Sequence, residues 1–239
     1  MKFDIITIFP NIFDGFLRES LLARAQKKKL IKINTHNLRK WTDDNHKTVD
    51  GRPYGGGAGM VLKIEPIFRA VSSLQSSVYR KPKSKTVNSK LKTRVILLSA
   101  KGKTFTQKDA RRLVKYDQII FICGRYEGVD ERVAKHIADE EISVGNYVLF
   151  GGEVPAMVII EAVSRLIPGV VAKEESVKNE SFSAGNCKLE TVNWKLMKEH
   201  PHYTRPEVFV LNGKKLKVPL VLLSGNHKKI EEWRRRNTE

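Results

Sequence analysis

The chain has 239 residues, of which 41% are apolar and 29% are charged, and its formal net charge at pH 7 is +18. A chain of this length and composition can bury a sizeable core, which excludes a disordered or fibrous protein. No apolar run approaches the roughly 18–20 residues that cross a bilayer, and none matches a signal peptide, so we expect a cytoplasmic protein that does not bind a membrane.

Strand and helix signals alternate through the first two-thirds of the chain. A β-branched and aromatic run, Phe3–Phe9, predicts a strand that ends at Pro10. Apolar residues from Ile12 to Leu21 recur at helical spacing, and Ile31–Thr35 alternates as a strand does. Two further strands are predicted at 94–99 and 118–123, and further helices at 105–115, 130–137 and 155–167. This order is typical of an α/β protein with a parallel sheet and flanking helices.

The pattern weakens after Gly169 into a polar stretch that is followed by a basic tail. A helix is predicted in that tail at about Asn226–Arg236. We therefore expect a main domain at 1–168, a linker or loop at 169–190, and a small, mostly helical C-terminal domain at 191–239.

The excess of basic residues favours a polyanionic partner. No acidic residue occurs between Pro66 and Lys108, and basic clusters recur at 27–29, 214–217 and 234–236. A single run of this kind is more often a solvated linker, but the repetition favours contacts with the phosphates of a nucleic acid.

Glycine is concentrated in three loops, at 54–60, 124–128 and 145–152. Such loops at the carboxyl ends of parallel strands let a ligand approach the backbone closely. None of them matches a nucleotide-binding fingerprint. In the first loop Met60 stands where the dinucleotide motif needs its last glycine. Residues 102–104 resemble the end of a P-loop, but Leu97 stands where that motif needs its first glycine. Taken singly, each loop is better explained by a tight turn that holds no ligand.

Other residues that could bind a metal or take part in catalysis give weaker signals. His200 and His202 flank a proline and lack a third nearby ligand, so we predict no metal site, and the sequence does not reveal whether Mg²⁺ is needed. The acidic residues from Asp130 to Glu141 are interpreted as an exposed helix face. Glu127 is the exception, because it lies inside a glycine loop that follows a predicted buried strand.

Six segments together give a much more specific signal. They are 48–60 (TVDGRPYGGGAGM), 123–132 (CGRYEGVDER), 143–157 (SVGNYVLFGGEVPAM), 163–169 (VSRLIPG), 201–206 (PHYTRP) and 222–227 (LLSGNH). In this order they closely resemble the motifs of the bacterial tRNA (guanine-N1)-methyltransferases of the SPOUT class, over nearly the whole chain.

The resemblance implies a parallel sheet with a trefoil knot and a homodimer whose active site lies at the interface. It implies S-adenosylmethionine as methyl donor, and as substrate the guanine immediately 3′ of the anticodon of a tRNA. The residues implied for donor binding are Leu97, Leu98, Gly124, Gly128, Val144, Gly145, Asn146, Tyr147, Val148, Leu149, Gly151, Gly152 and Pro155.

The resemblance also implies the catalytic groups. Glu180 stands where the family has a general-base aspartate, Arg165 matches the family's active-site arginine, and Glu127 lies beside the donor. A carboxylate can remove the proton from guanine N1, and a guanidinium can stabilise negative charge on O6.

Two other functions remain open from the sequence. One is an RNA-binding protein that keeps the fold while Glu180 and Asn146, which replace the aspartates usual in the family, have impaired catalysis. The other is a nucleotide-using α/β enzyme with a small acidic substrate, which the failed fingerprints and the basic charge disfavour.

Overall fold

The computed structural model describes residues 1–76, 91–172, 181–182 and 200–237. The chain divides into two compact units, Met1–Ala172 and Lys173–Glu239. Among the described helices, none is both long and apolar enough to cross a membrane.

The first unit is built on a five-stranded sheet whose strand order is β2-β1-β6-β5-β7, and all its strand pairs are parallel. These strands are β1 (Lys2–Thr7), β2 (Lys32–Asn37), β5 (Thr93–Thr104), β6 (Gln118–Cys123) and β7 (Glu140–Ser143). The short strands β3 (Asp50–Gly51) and β4 (Val61–Leu62) form a separate antiparallel pair. The expected α/β class with a parallel sheet is confirmed.

Helices cover both faces of this sheet. They are α1 (Asp14–Arg18), α2 (Ser20–Lys27), α3 (Ile64–Ser76), α4 (Gln107–Leu113), α5 (Glu131–His136) and α6 (Glu153–Ser164), with 3₁₀ turns at Pro10–Phe13 and Leu38–Trp41. Every residue of β6 is buried, because this central strand packs against helices on both sides. Alternate side chains of the sheet enter a core with α2, α4 and α6, while the others enter a core with α3 and α5.

Several elements of the first unit differ from the sequence prediction. The helix expected from Ile12 to Leu21 is divided, because Glu19 is extended and Ser20 has a φ of +54°. β5 continues to Thr104, beyond the predicted end of that strand at residue 99. The interpretation of the acidic residues 130–141 as one exposed helix face is wrong, because the helix ends at His136 and Glu140–Ser143 forms the edge strand β7.

The charge of Glu140 is neutralised by residues that are distant in sequence. Its Oε1 accepts from Arg94 Nε at 2.8 Å and its Oε2 accepts from Arg112 at 2.7 Å. Although burial opposes ionisation, these two guanidinium groups lower the pKa of Glu140 below its ordinary value. An acidic residue can therefore stand in this edge strand, which local sequence patterns did not predict.

The described part of the second unit combines strands and helices. A hairpin of β8 (Val208–Leu211) and β9 (Lys214–Lys217) precedes α7 (Leu220–Leu223) and α8 (His227–Arg236). The helix predicted at about 226–236 is confirmed, with the Asn226 side chain as its N-cap. The hairpin was not predicted.

A buried carboxylate links three strands of the first unit. Asp4 on β1 is fully buried, and it accepts hydrogen bonds from Asn34 on β2 and Gln118 on β6 at 2.9 and 2.6 Å. His36 Nε2 and Lys2 Nζ each lie 2.8 Å from its oxygens. Burial raises the pKa of Asp4, but these partners outweigh it and lower the pKa to about 2.

We expect Asp4→Asn to lower the free energy of unfolding at pH 7 by up to about 2 kcal/mol, because the ionised group is stabilised only in the fold. A pKa lowered by folding stabilises the protein above the unfolded pKa of about 4 and loses this effect as the pH falls towards about 2. The difference between wild type and variant should therefore shrink over that range, as measured by urea unfolding. Asp43→Asn, in an exposed ion pair with Arg69, is the control and should change stability little. A difference independent of pH would contradict this prediction.

Candidate active site

A cavity of about 390 Å³ lies at the carboxyl edge of the sheet in the first unit. Its walls include residues 97–101 of β5, the loop that follows β6, the end of β7 and the segment that leads from β7 into α6. This edge is where ligands bind in open parallel sheets, and the volume falls within the range of small-molecule sites.

The cavity brings together most of the residues that the sequence resemblance singled out. Those that line it are Leu97, Leu98, Gly124, Glu127, Gly128, Val144, Tyr147, Val148, Leu149, Gly151, Gly152 and Pro155. Gly145 and Asn146 are not in its lining. Arg165 is exposed at the carboxyl end of α6, away from the cavity, and Glu180 lies outside the described residues.

Gly145 shapes the cavity although it does not line it. A Cβ at this position would lie 2.3 Å from Cε1 of Tyr147, so the tyrosine ring packs directly on the glycine. The Tyr147 hydroxyl donates to the Val144 carbonyl at 3.2 Å, which holds the ring in this position. A side chain at residue 145 would move Tyr147 and change the wall of the cavity.

The segment before α6 passes very close to the central strands. The Gly152 N–H donates to the Gly124 carbonyl at 3.0 Å. A Cβ at residue 152 would lie 2.7 Å from the Cys123 Cα and 3.1 Å from the Leu98 Cβ. Only glycine permits this approach, which forms the floor of the cavity. Cys123 is buried here, and burial raises the pKa of its thiol well above the ordinary value, which disfavours the reactive thiolate.

A buried ion pair holds this segment in place. Glu153, the first residue of α6, is 1% exposed. Its carboxylate accepts from Arg125 Nε at 2.9 Å and from the Thr7 hydroxyl at 2.6 Å. The guanidinium of Arg125 also lies over the Phe9 ring, 4.8 Å from its centroid. Sequence reasoning missed this pair, because its members are 28 residues apart and each resembles an ordinary surface charge.

The charges around the cavity favour a cationic ligand. Lys101 donates to Glu131, and this hydrogen bond lowers the pKa of the Glu131 carboxyl. Glu141 Oε1 is buried in the cavity wall and has no hydrogen-bond partner among the described residues. Such a buried oxygen can accept a hydrogen bond from a bound ligand, since leaving it unsatisfied is costly. Glu127 adds another carboxylate to the lining.

The first glycine loop reaches this site by an unexpected route. Residues 54–60 connect the antiparallel strands β3 and β4 rather than following a strand of the central sheet. The Glu127 N–H donates to the Met60 carbonyl, and the Leu62 N–H donates to the Gly128 carbonyl, both at 3.0 Å. Two glycine loops that are distant in sequence therefore meet beside the cavity.

Within the described ranges, no group of three or more His, Cys, Asp and Glu residues is placed to hold a metal ion.

Comparison with known proteins connects this architecture to one family. A family model described as tRNA (Guanine-1)-methyltransferase TrmD matches residues 1–239. Proteins named tRNA (guanine-N(1)-)-methyltransferase are similar to this chain over 238 residues, which is 100% of it. The relative from Bacillus pumilus is 48% identical with 87% of its length covered, that from Anoxybacillus flavithermus 49% with 86%, and that from Carboxydothermus hydrogenoformans 48% with 83%.

The close packing at Gly152 leads to a stability prediction. We expect Gly152→Ala to lower the free energy of unfolding by about 1–3 kcal/mol, because the new methyl group would overlap the backbone of β6. Gly15→Ala is the matched control, since a Cβ at Gly15 in α1 would have no atom within 4 Å and alanine favours a helix. Denaturant unfolding of both variants tests this, and a Gly152→Ala protein as stable as wild type would show that the segment is not confined.

Proposed function

Because the chain belongs to the tRNA (guanine-1)-methyltransferase family, we propose that it transfers the methyl group of S-adenosylmethionine to N1 of the guanine immediately 3′ of the anticodon of a tRNA. The full-length family match is the observation that carries this proposal. A tRNA substrate also implies that the protein acts in the cytoplasm.

The residues around the cavity fit the donor. Its backbone walls at Gly124 and Gly152 can approach an adenosine group closely. The buried Glu141 Oε1 is ready to accept a hydrogen bond, and the Glu127 carboxylate attracts the positive charges of a sulfonium and an ammonium group. We therefore propose that the residues named from the resemblance bind the donor here.

S-adenosylmethionine supplies a methyl group already activated by its sulfonium. The protein must hold guanine N1 in line with that methyl group and remove the N1 proton. In this proposal Glu180 accepts the proton, Arg165 donates hydrogen bonds to O6 as negative charge develops there, and Glu127 orients the donor.

We also propose a homodimer with an active site shared between protomers. Arg165 stands twelve residues beyond Glu153 on α6, about 18 Å along the helix axis at 1.5 Å per residue, whereas the cavity lies at the start of α6. That separation exceeds the reach of an arginine side chain, so Arg165 would serve the cavity of a second protomer.

An exposed apolar ridge supports this dimer. Phe150, in the segment before α6, is 95% exposed, and Val154 and Val158 are exposed one turn apart on one side of α6. Phe9 is also exposed and contacts Arg125, which donates to the Phe150 carbonyl. A contiguous surface of this kind is typical of an interface between protein chains.

The path of the chain supports a trefoil knot. β5 pairs with β7 in two registers, with a shift between Leu98 and Lys103. The intervening residues 99–102 bulge within β5, residues 99–101 line the cavity, and Gly152 packs on the β6 backbone in the same region. We propose that the segment 144–152 passes through the knot beside this bulge, as the family resemblance implies.

A tRNA partner agrees with the charge distribution. In the second unit, the hairpin carries Lys214, Lys215 and Lys217, and all of its strand residues are exposed. No acidic residue occurs between Glu207 and Glu231. We propose that this region, within the predicted domain 191–239, contacts tRNA phosphates, whereas the basic stretch at 80–94 lies largely outside the described residues.

The central experiment is single-turnover methylation of an unmodified tRNA transcript with labelled S-adenosylmethionine. Transfer to a transcript with guanine 3′ of the anticodon, and none when adenine replaces it, supports the proposal. Binding of tRNA without transfer would favour the catalytically impaired RNA-binding protein. Indifference to both the donor and tRNA would favour the nucleotide-using enzyme.

In the same assay we expect Glu180→Gln to lower the rate of transfer by about 10²–10⁴-fold, because the amide keeps the shape but cannot accept the N1 proton. Donor affinity, measured by titration calorimetry, should barely change. Glu180→Asp is the control, since it keeps the carboxylate and should retain activity within about tenfold. A Glu180→Gln protein as fast as wild type would exclude this residue as the base.

We expect replacement of Lys214, Lys215 and Lys217 by glutamine to weaken tRNA binding and to flatten its salt dependence. The log–log slope should become shallower by about 0.7–0.9 for each tRNA phosphate that these lysines neutralise in the wild type. The matched control replaces Lys32, Lys92 and Lys115 by glutamine. These three exposed lysines lie at the amino edge of the central sheet, whereas the cavity lies at its carboxyl edge. Equal effects of the two triple variants on tRNA affinity would show that only net charge matters.

A further inference from the structure

Gly59 lies directly against the side chain of Glu127. A Cβ at residue 59 would be 2.6 Å from the Glu127 Cγ, 2.7 Å from its Oε1 and 3.0 Å from its Cδ. The two shorter distances are below 3.0 Å, which Cβ atoms in real structures essentially never show. The glutamate therefore occupies the space that a side chain at residue 59 would need. The position of the Glu127 carboxylate therefore depends on the absence of a side chain at residue 59.

The backbone around this contact has little freedom to adjust. The Glu127 N–H donates to the carbonyl of Met60, the residue that follows Gly59. The next pairing, from the Leu62 N–H to the Gly128 carbonyl, fixes the same two segments a few residues further on. An overlap at residue 59 is therefore relieved most easily by the Glu127 side chain, which is exposed and can rotate.

We propose that Gly59 is a positioning residue for Glu127. The first glycine loop then provides the surface on which the Glu127 carboxylate rests as it faces the donor cavity. This gives the loop a role other than holding a ligand with its backbone. The inference rests on the proposed function, because it concerns the carboxylate assigned there to donor orientation.

Gly55 provides a matched control within the same loop. Its φ is +84°, almost the same as the +82° of Gly59, so alanine at either position introduces similar backbone strain. A Cβ at Gly55 would have no atom of the described residues within 4 Å, whereas one at Gly59 would displace Glu127. The two alanine variants thus share the strain and differ in the steric overlap.

We expect Gly59→Ala and Gly55→Ala to lower the melting temperature by similar amounts. Only Gly59→Ala should impair methyl transfer. The Glu127 side chain would have to move by roughly 1 Å because the new Cβ would lie only 2.6 Å from it, and a misplacement of that size can cost about 10²-fold in rate. Its affinity for S-adenosylmethionine should fall as well, whereas that of Gly55→Ala should remain near the wild-type value.

The role of Glu127 is tested by repeating both substitutions in a Glu127→Ala background. There we expect Gly59→Ala to have no larger effect on donor affinity and transfer than Gly55→Ala, because the overlapping side chain is gone. Equal impairment by both variants in the wild-type background, or a selective effect of Gly59→Ala that persists without Glu127, would overturn the inference.

Measurements of donor binding and methyl transfer on the wild-type protein distinguish a failure of this inference from a failure of the proposed function. Donor binding without transfer to tRNA would contradict the proposed function, and the comparison of Gly59→Ala with Gly55→Ala would then be decided by donor affinity. Neither binding nor transfer by the wild type would overturn both.

Discussion

The carboxylate of Glu153 connects the elements that surround the cavity. Glu153 is the first residue of α6. Its carboxylate accepts a hydrogen bond from Thr7 at the end of β1 and pairs with Arg125 in the loop after β6. A buried carboxylate is tolerated only with such partners, and removing one of them from a pair of this kind costs about 3–5 kcal/mol. The close approach of Gly152 to the β6 backbone depends on the same anchor, because residue 152 immediately precedes Glu153.

The charge of the chain as a whole differs in sign from the charged groups that dominate the cavity lining. The chain as a whole is strongly basic, which suits a polyanionic RNA, whereas the cavity lining includes Glu127, Glu131 and Glu141. Lys101 pairs with Glu131 at this site, and Arg125 pairs with Glu153, so among the described residues Glu127 and Glu141 have no ion-pair partner. A cationic donor and an anionic substrate can thus be attracted to different surfaces of one protein.

Local patterns predicted the elements whose environment is simple. The strand at 118–123 was predicted at its observed bounds, because a strand buried on both faces is a continuous apolar run. The edge strand β7 was missed, since its acidic residues are stabilised by Arg94 and Arg112, which no local pattern connects to it. The hairpin of the second unit was missed as well, although Asn212 and Gly213 form a turn with positive φ that is typical of hairpins.

The sequence by itself determined the parallel α/β class, the basic character, the three glycine loops and the family. It did so because hydrophobic periodicity, net charge and the six motifs are properties of the linear sequence and do not depend on contacts between distant segments. Only the tertiary structure decided that the loops at 54–60 and 124–128 meet, that Glu153 is buried against Arg125, and that Arg165 lies far along α6 from the cavity. These facts depend on which distant segments pack together, and packing between distant segments leaves no periodic signal in the sequence.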